Sequence, residues 1–293
     1  MPLSQPAICS TMLELKNLHP EFGVEILGTD LSMPLEPNEF AQIELALEQY
    51  SLVLFRNQIF DDDSQVVFSR RFGELEIHVR TEYLSPDFPE ILFVSNMQKA
   101  NGEPLGILAD RDVGWHYDQI YLPKPALGSL LYAVKVPPEG GRTYFADMAA
   151  AYEALPDDLK QRIEGRRAVQ SYEHFNRSYS VPTSKTQKAR TQDVTHPMVR
   201  THPYSKRKSL YICPGMTTEI IGLPETESRD ILDRLFEFSV RPEFVYAHDW
   251  QAGDGILWDN ARTMHRRDPF DGRHPRLMKR TTILMPDALA APF

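Results

Sequence analysis

Between Pro89 and Ala146 the chain alternates short apolar runs with glycine and proline turns, and this pattern limits the possible folds more than any other feature. Ile91–Ser95, Gly128–Val134 and Thr143–Ala146 are β-branched or aromatic-rich runs of strand length. Pro137-Pro138-Glu139-Gly140-Gly141 separates the last two. The prolines withhold backbone donors there, and the glycines accept conformations closed to other residues. Helix–strand alternation is confined to the N-terminal part. The chain therefore reads as mostly β with flanking helices, forming one domain over residues 1–293.

The flanking elements have their own signals. Phe40, Ile43, Leu45, Ala46 and Leu47 give Glu39–Tyr50 an apolar helical side, and Ser51–Phe55 follows as a buried-type strand. Asp61-Asp62-Asp63-Ser64 supplies residues that cap a helix, whose apolar side carries Val66, Val67, Phe68 and Phe72. A helical stretch from Asp147 to Gly165 is interrupted at Pro156-Asp157, and Pro224–Ser239 is a further helix. Gly255–Trp258 and Lys279–Leu284 are the final strands, one on either side of His265. Asn176 to Lys208 reads as a long irregular connection with eight Lys/Arg against the single acid Asp193, the profile of a basic lid.

Charge and cysteine use exclude several classes. A net charge of −9 argues against a nucleic-acid binder. Two cysteines, Cys9 and Cys213, make neither a disulfide framework nor a Cys-x-x-Cys zinc site, which fits a reducing compartment. With no apolar run long enough to span a bilayer, the expectation is a cytoplasmic protein without a membrane partner.

The chemistry concentrates in Gly114-Trp115-His116-Tyr117-Asp118. In extended backbone, His116 and Asp118 project to one side and can converge on one ion. A second histidine completes the two-histidine, one-carboxylate triad that leaves positions open on Fe(II), and His265 is the candidate. Arg276 and Arg280, which follow it, would suit an anionic co-substrate, since a guanidinium fork pairs bidentately with carboxylate. The same three ligands on zinc could instead activate water for hydrolysis, and a ligand-binding or inactive β protein is a third reading.

Taken in order, Gly28-Thr29-Asp30-Leu31, Leu52–Phe55, Phe68–Gly73, Trp115–Asp118, Gly140–Thr143, Trp258-Asp259-Asn260, His265 and Arg276–Arg280 resemble the taurine and 2,4-dichlorophenoxyacetate dioxygenase family over nearly the whole chain. The resemblance implies a double-stranded β-helix, or jelly-roll, core with iron near its mouth. It implies a reaction in which Fe(II), 2-oxoglutarate and O2 hydroxylate a small organic anion while 2-oxoglutarate becomes succinate and CO2. His116, Asp118 and His265 would ligate iron, Thr143 and Arg276 would hold the far carboxylate of 2-oxoglutarate, and Arg280 would face the anionic group of the substrate. His78 matches a substrate-contacting histidine. Asp112 stands where the taurine enzyme has a neutral amide, so an acid there disfavours a sulfonate. Together with Tyr117 and Tyr121, bulkier than expected in the phenoxyacetate branch, it is assigned to the substrate. The expected substrate is an aryloxyalkanoate-like carboxylate, with taurine, alkylsulfonates or sulfate esters as the alternative. Helices outside a jelly roll are compatible with a homo-oligomer.

Overall fold

The computed structural model describes residues 12–108, 110–177 and 183–287. Two β-sheets organise them. The larger has eight strands in the spatial order Glu14–Asn17, Val24–Leu27, Leu52–Phe55, Gly255–Asp259, Ala126–Lys135, Leu277–Leu284, Leu92–Ser95 and Ile107–Leu108. The smaller has four, in the order Val245–His248, Thr143–Asp147, Thr263–Arg267 and Val113–His116. The mostly β character with flanking helices is as the sequence predicts.

Strand alternation explains how the sheets pack. Leu52, Leu54, Leu131, Ile256 and Trp258 project from one face of the larger sheet into a cluster that includes Phe145 of the smaller sheet. Their neighbours Val53, Phe55, Leu130, Tyr132 and Leu257 project from the opposite face onto Phe40, Ile43, Val66 and Phe68. These last four belong to the helices Pro37–Tyr50 and Asp62–Arg70. Both faces of the larger sheet are thus buried, which is why its central strands read as continuous apolar runs rather than alternating ones.

Local signals set several boundaries. Asp61 accepts from Ser64 N at 2.7 Å and the Ser64 hydroxyl accepts from Asp61 N at 3.1 Å, closing a capping box at the start of Asp62–Arg70. Pro156 separates Met148–Ala154 from Asp157–Ile163, as predicted. Leu45 and Val67, assigned to buried helix sides, are exposed instead, because each faces away from the stripe that meets the sheet.

Three expectations need correction. His265 lies within the strand Thr263–Arg267 rather than between strands. Asp118 lies beyond the end of Val113–His116, in a turn with Gln119 at φ 57°. The stretch 176–208 contains the helix Lys185–Arg190 and the strands Val194–Pro197 and Val199–Thr201. Those strands pair with Arg167–Gln170 and Lys208–Leu210, and a window on the sequence does not show such partners. Residues 178–182 of the expected lid, and Cys9, lie outside the described residues. Several of the lid's cations are engaged: Arg207 bonds both oxygens of Glu153 at 2.9 Å, and Arg200 is buried with its guanidinium 4.0 Å from the Tyr211 ring centroid.

Candidate active site

The smaller sheet brings the two histidines together. Thr263–Arg267 runs antiparallel to Val113–His116 with His265 directly opposite His116, and the imidazole centroids lie 4.2 Å apart. The turn after His116 then supplies Asp118. Asn260 fixes that turn by accepting from Asp118 N at 2.9 Å and donating to Asp118 O at 2.8 Å. The His116 and His265 ligand nitrogens and an Asp118 oxygen all lie within 4.8 Å of one another, and all three residues are buried. The convergence seen in the sequence is real, although turn geometry and Asn260 produce it rather than the pleat of one strand.

The donor set fits a divalent metal. His116 Nδ1 donates to Gly114 O at 2.8 Å, which leaves Nε2 with its lone pair. His265 Nδ1 is buried and has no hydrogen-bond partner among the described residues. Burial lowers both imidazole pKa values, and for His265 the neighbouring His116 adds to the effect. Burial would raise the Asp118 carboxyl, but the Arg280 guanidinium beside it holds it well below the usual carboxylate range. Ser129 Oγ donates to Asp118 Oδ2 at 2.7 Å and Arg280 Nη1 donates to Oδ1 at 2.5 Å. Neutral imidazoles with an ionised carboxylate are the protonation states that metal binding needs.

Two cavities flank the triad. The smaller, about 50 Å³, brings Thr143 and Arg276 together with His116 and His265 against Trp258. Arg276 is 1% exposed, and its Nε and Nη1 have no hydrogen-bond partner among the described residues. Burial first, then Arg267, drives its pKa well below the ordinary arginine value. A buried guanidinium with N–H donors left without partners is a strong receptor for a carboxylate. Thr143 Oγ1 accepts from Trp250 Nε1 at 2.9 Å, so its own hydroxyl proton must find another acceptor.

The larger cavity, about 310 Å³, reaches the triad from the other side past His116 and Asp118. His78, Tyr117, Tyr121 and Arg280 line it. Burial is the main cause that lowers His78 to about 3, so its ring is neutral. Tyr117 turns its hydroxyl away into the core, donating to Leu210 O at 2.7 Å. Tyr121 packs on Tyr172 with centroids 4.6 Å apart.

Asp112 does not line this cavity; it is exposed. A bulge is the cause. His265 faces His116 and Arg267 faces Val113, so three steps on one strand match two on its partner and the side-chain phase reverses upstream of His116. Arg80, Tyr172, Phe175 and Met216 also line the cavity without having been singled out. Arg80 has a local signal, standing two residues after His78. The other three arrive from two distant segments and carry none.

The family model of the taurine catabolism dioxygenase TauD, TfdA family matches residues 14–282. The chain belongs to that family. Among TauD/TfdA relatives, the α-ketoglutarate-dependent 2,4-dichlorophenoxyacetate dioxygenase of Cupriavidus pinatubonensis is 37% identical over 91% of this chain and 96% of its own. Pentalenolactone F synthase of Streptomyces avermitilis is 34% identical over 90% and 92%. The crystal structure of AAD-2 in complex with Mn(II) and N-oxalylglycine aligns with a TM-score of 0.80 at 34% identity, covering 94% of this chain and 99% of that one. The protein is accordingly a 2-oxoglutarate-dependent non-haem iron dioxygenase, with Fe(II) as its metal and 2-oxoglutarate and O2 as co-substrates. This membership displaces the zinc-hydrolase and binding-protein readings. Among the described residues, no helix is long and apolar enough to cross a membrane.

Proposed function

We propose that the protein hydroxylates a small organic anion of the aryloxyalkanoate type, in one catalytic domain whose two facing sheets form a double-stranded β-helix. The observation that carries the substrate class is the composition of the larger cavity. Tyr83, Tyr121, Tyr172, Phe175 and Met216 offer an aromatic and apolar body site, while Arg80 and Arg280 offer positive charge, within the space that meets His116 and Asp118. An aryl ether carrying a carboxylate satisfies both parts. Alkylsulfonates and sulfate esters, the alternative, satisfy the charge but leave the tyrosine wall without a matching ring.

Each residue then has a role. His116, Asp118 and His265 would hold Fe(II). Thr143 and Arg276 would receive the far carboxylate of 2-oxoglutarate, which ends the buried isolation of the Arg276 guanidinium. Arg280 keeps Asp118 ionised and adds positive charge where the two cavities meet. When bound, iron with 2-oxoglutarate and O2 supplies the oxidative decarboxylation to succinate and CO2 and the oxygen delivered to the substrate carbon. The chain contributes orientation and exclusion of water: the tyrosines and Phe175 wall off the ring, and the arginines fix which carbon faces the triad. A hydroxylated carbon next to an ether oxygen is a hemiacetal, which would split into a phenol and a carbonyl compound.

Succinate release is the test. Purified enzyme with Fe(II) and 2-oxoglutarate should form succinate in step with consumption of phenoxyacetate or phenoxypropionate. Release driven by taurine or alkyl sulfates, with none from the aryl acids, would replace this reading by the alternative.

A further inference from the structure

We propose that Trp250 is a positioning residue for the co-substrate: its indole N–H fixes the Thr143 hydroxyl as a donor towards the smaller cavity. The assignment rests on the reading in which Thr143 and Arg276 receive the far carboxylate of 2-oxoglutarate, and adds a residue that acts through Thr143.

A threonine hydroxyl is ambivalent, with one proton to give and two lone pairs to receive. An indole nitrogen only donates. Trp250 Nε1 donates to Thr143 Oγ1 at 2.9 Å, so one lone pair is committed and the O–H must point elsewhere. Thr143 is buried, and its proton makes no hydrogen bond among the described residues. Thr143 lines the smaller cavity together with Arg276, whose guanidinium also only donates. An oriented Thr143 and Arg276 thus form a receptor made of donors alone, the complement of a carboxylate, which only accepts. Trp250 lines neither cavity, so it reaches the co-substrate through Thr143 and not by contact.

The fold holds the indole at this place. Strand Val245–His248 runs antiparallel to Thr143–Asp147 with His248 directly opposite Thr143. Trp250 follows two residues later, in the turn that leads into Gly255–Asp259. Asp254 closes that turn. Its Oδ2 accepts from Gln251 N and from Arg56 Nη1, each at 2.8 Å, and lies 3.0 Å from His248 Nε2. His248 is buried and meets the Trp250 ring edge-on, with centroids 4.7 Å apart and planes at 86°. Swinging the indole away from Thr143 would give up that aromatic contact as well as the hydrogen bond.

The test is a double-substitution cycle read by calorimetry on the Mn(II)-loaded protein, with N-oxalylglycine as the probe. Trp250→Phe keeps a ring and removes the N–H. It should weaken N-oxalylglycine by about fivefold, the size of one neutral hydrogen bond, and leave Mn(II) affinity unchanged. Thr143→Val should weaken the probe by about tenfold, and in that background Trp250→Phe should have no further effect. Thr143→Ser keeps the hydroxyl and should keep the sensitivity to Trp250→Phe. Trp250→Leu is the second variant, and whichever of the two takes up Mn(II) like wild type is folded and sufficient. A loss that is absent in the wild-type background, or that persists undiminished in Thr143→Val, would make Trp250 a packing residue and overturn the assignment. Failure of both Trp250 variants to take up Mn(II) would overturn it too, by making the indole a requirement of the fold. Full affinity for N-oxalylglycine in Thr143→Val would overturn the reading that Thr143 receives the carboxylate, and this assignment with it.

Discussion

Arg280 and Asp118 form an ion pair of 2.5 Å in which both side chains are less than one-tenth exposed. A pair of this kind is costly to break from one side, because the surviving charge stays buried.

Arg280→Met should therefore destabilise the metal-free protein by about 3 kcal/mol at neutral pH. Adding Asp118→Asn should restore much of the loss, since it removes the stranded charge. Urea unfolding of the two single variants and the double variant checks this. A single-variant loss near zero would mean that the pair contributes nothing.

Arg276 should behave in the opposite way. Its guanidinium is buried beside Arg267, with Nε and Nη1 lacking hydrogen-bond partners among the described residues. Arg276→Met should leave the metal-free protein as stable as wild type or more stable, while weakening 2-oxoglutarate by about a hundredfold. Thermal melts with and without N-oxalylglycine separate the two effects. Equal stabilisation of variant and wild type by N-oxalylglycine would remove Arg276 from the co-substrate site.

Glu76 gives a pH dependence. Burial first, then the charge of Asp118, raises its carboxyl to about 7 against the opposing pull of Arg280 and Arg190. A folded pKa above the unfolded value means that the folded state binds more protons, so stability falls as pH rises from about 4.5 towards 7. Glu76→Gln should remove on the order of 2 kcal/mol of that fall. Unfolding free energies of the metal-free protein and the variant at pH 5 and pH 8 provide the comparison. Parallel curves would show that the Glu76 carboxyl titrates alike in both states.

Asn260 tests how Asp118, the proposed carboxylate ligand, is positioned. It bonds the Asp118 backbone on both its N–H and C=O sides and also donates to Ala126 O at 3.2 Å. Asn260→Ala should cut metal affinity by roughly ten- to a hundredfold without removing any ligand. Titration with Mn(II) measures it, and unchanged affinity would show that the turn holds itself.

Identity and pattern were legible in the chain; phase and proximity were not. The apolar runs between glycine and proline turns determined a mostly β fold, because strand length and turn chemistry are local properties. His116, Asp118 and His265 could be put forward as a metal triad and Arg276 as an anion receptor from residue chemistry alone, whereas Thr143 was legible only through the family resemblance. Tertiary structure alone placed His265 opposite His116, because strand register depends on a partner far along the chain. One bulged residue turned Asp112 out to solvent while Val113 and His116 stayed inside, a reversal that no periodicity announces. Tyr172 and Asn176 reached the cavity from a segment more than fifty residues past Asp118, and there they hold Arg80. The pairing of Arg280 with Asp118 rather than with open space was likewise decided in three dimensions. A guanidinium's partner is whichever carboxylate the fold delivers within hydrogen-bonding distance, and the sequence specifies only that the charge exists.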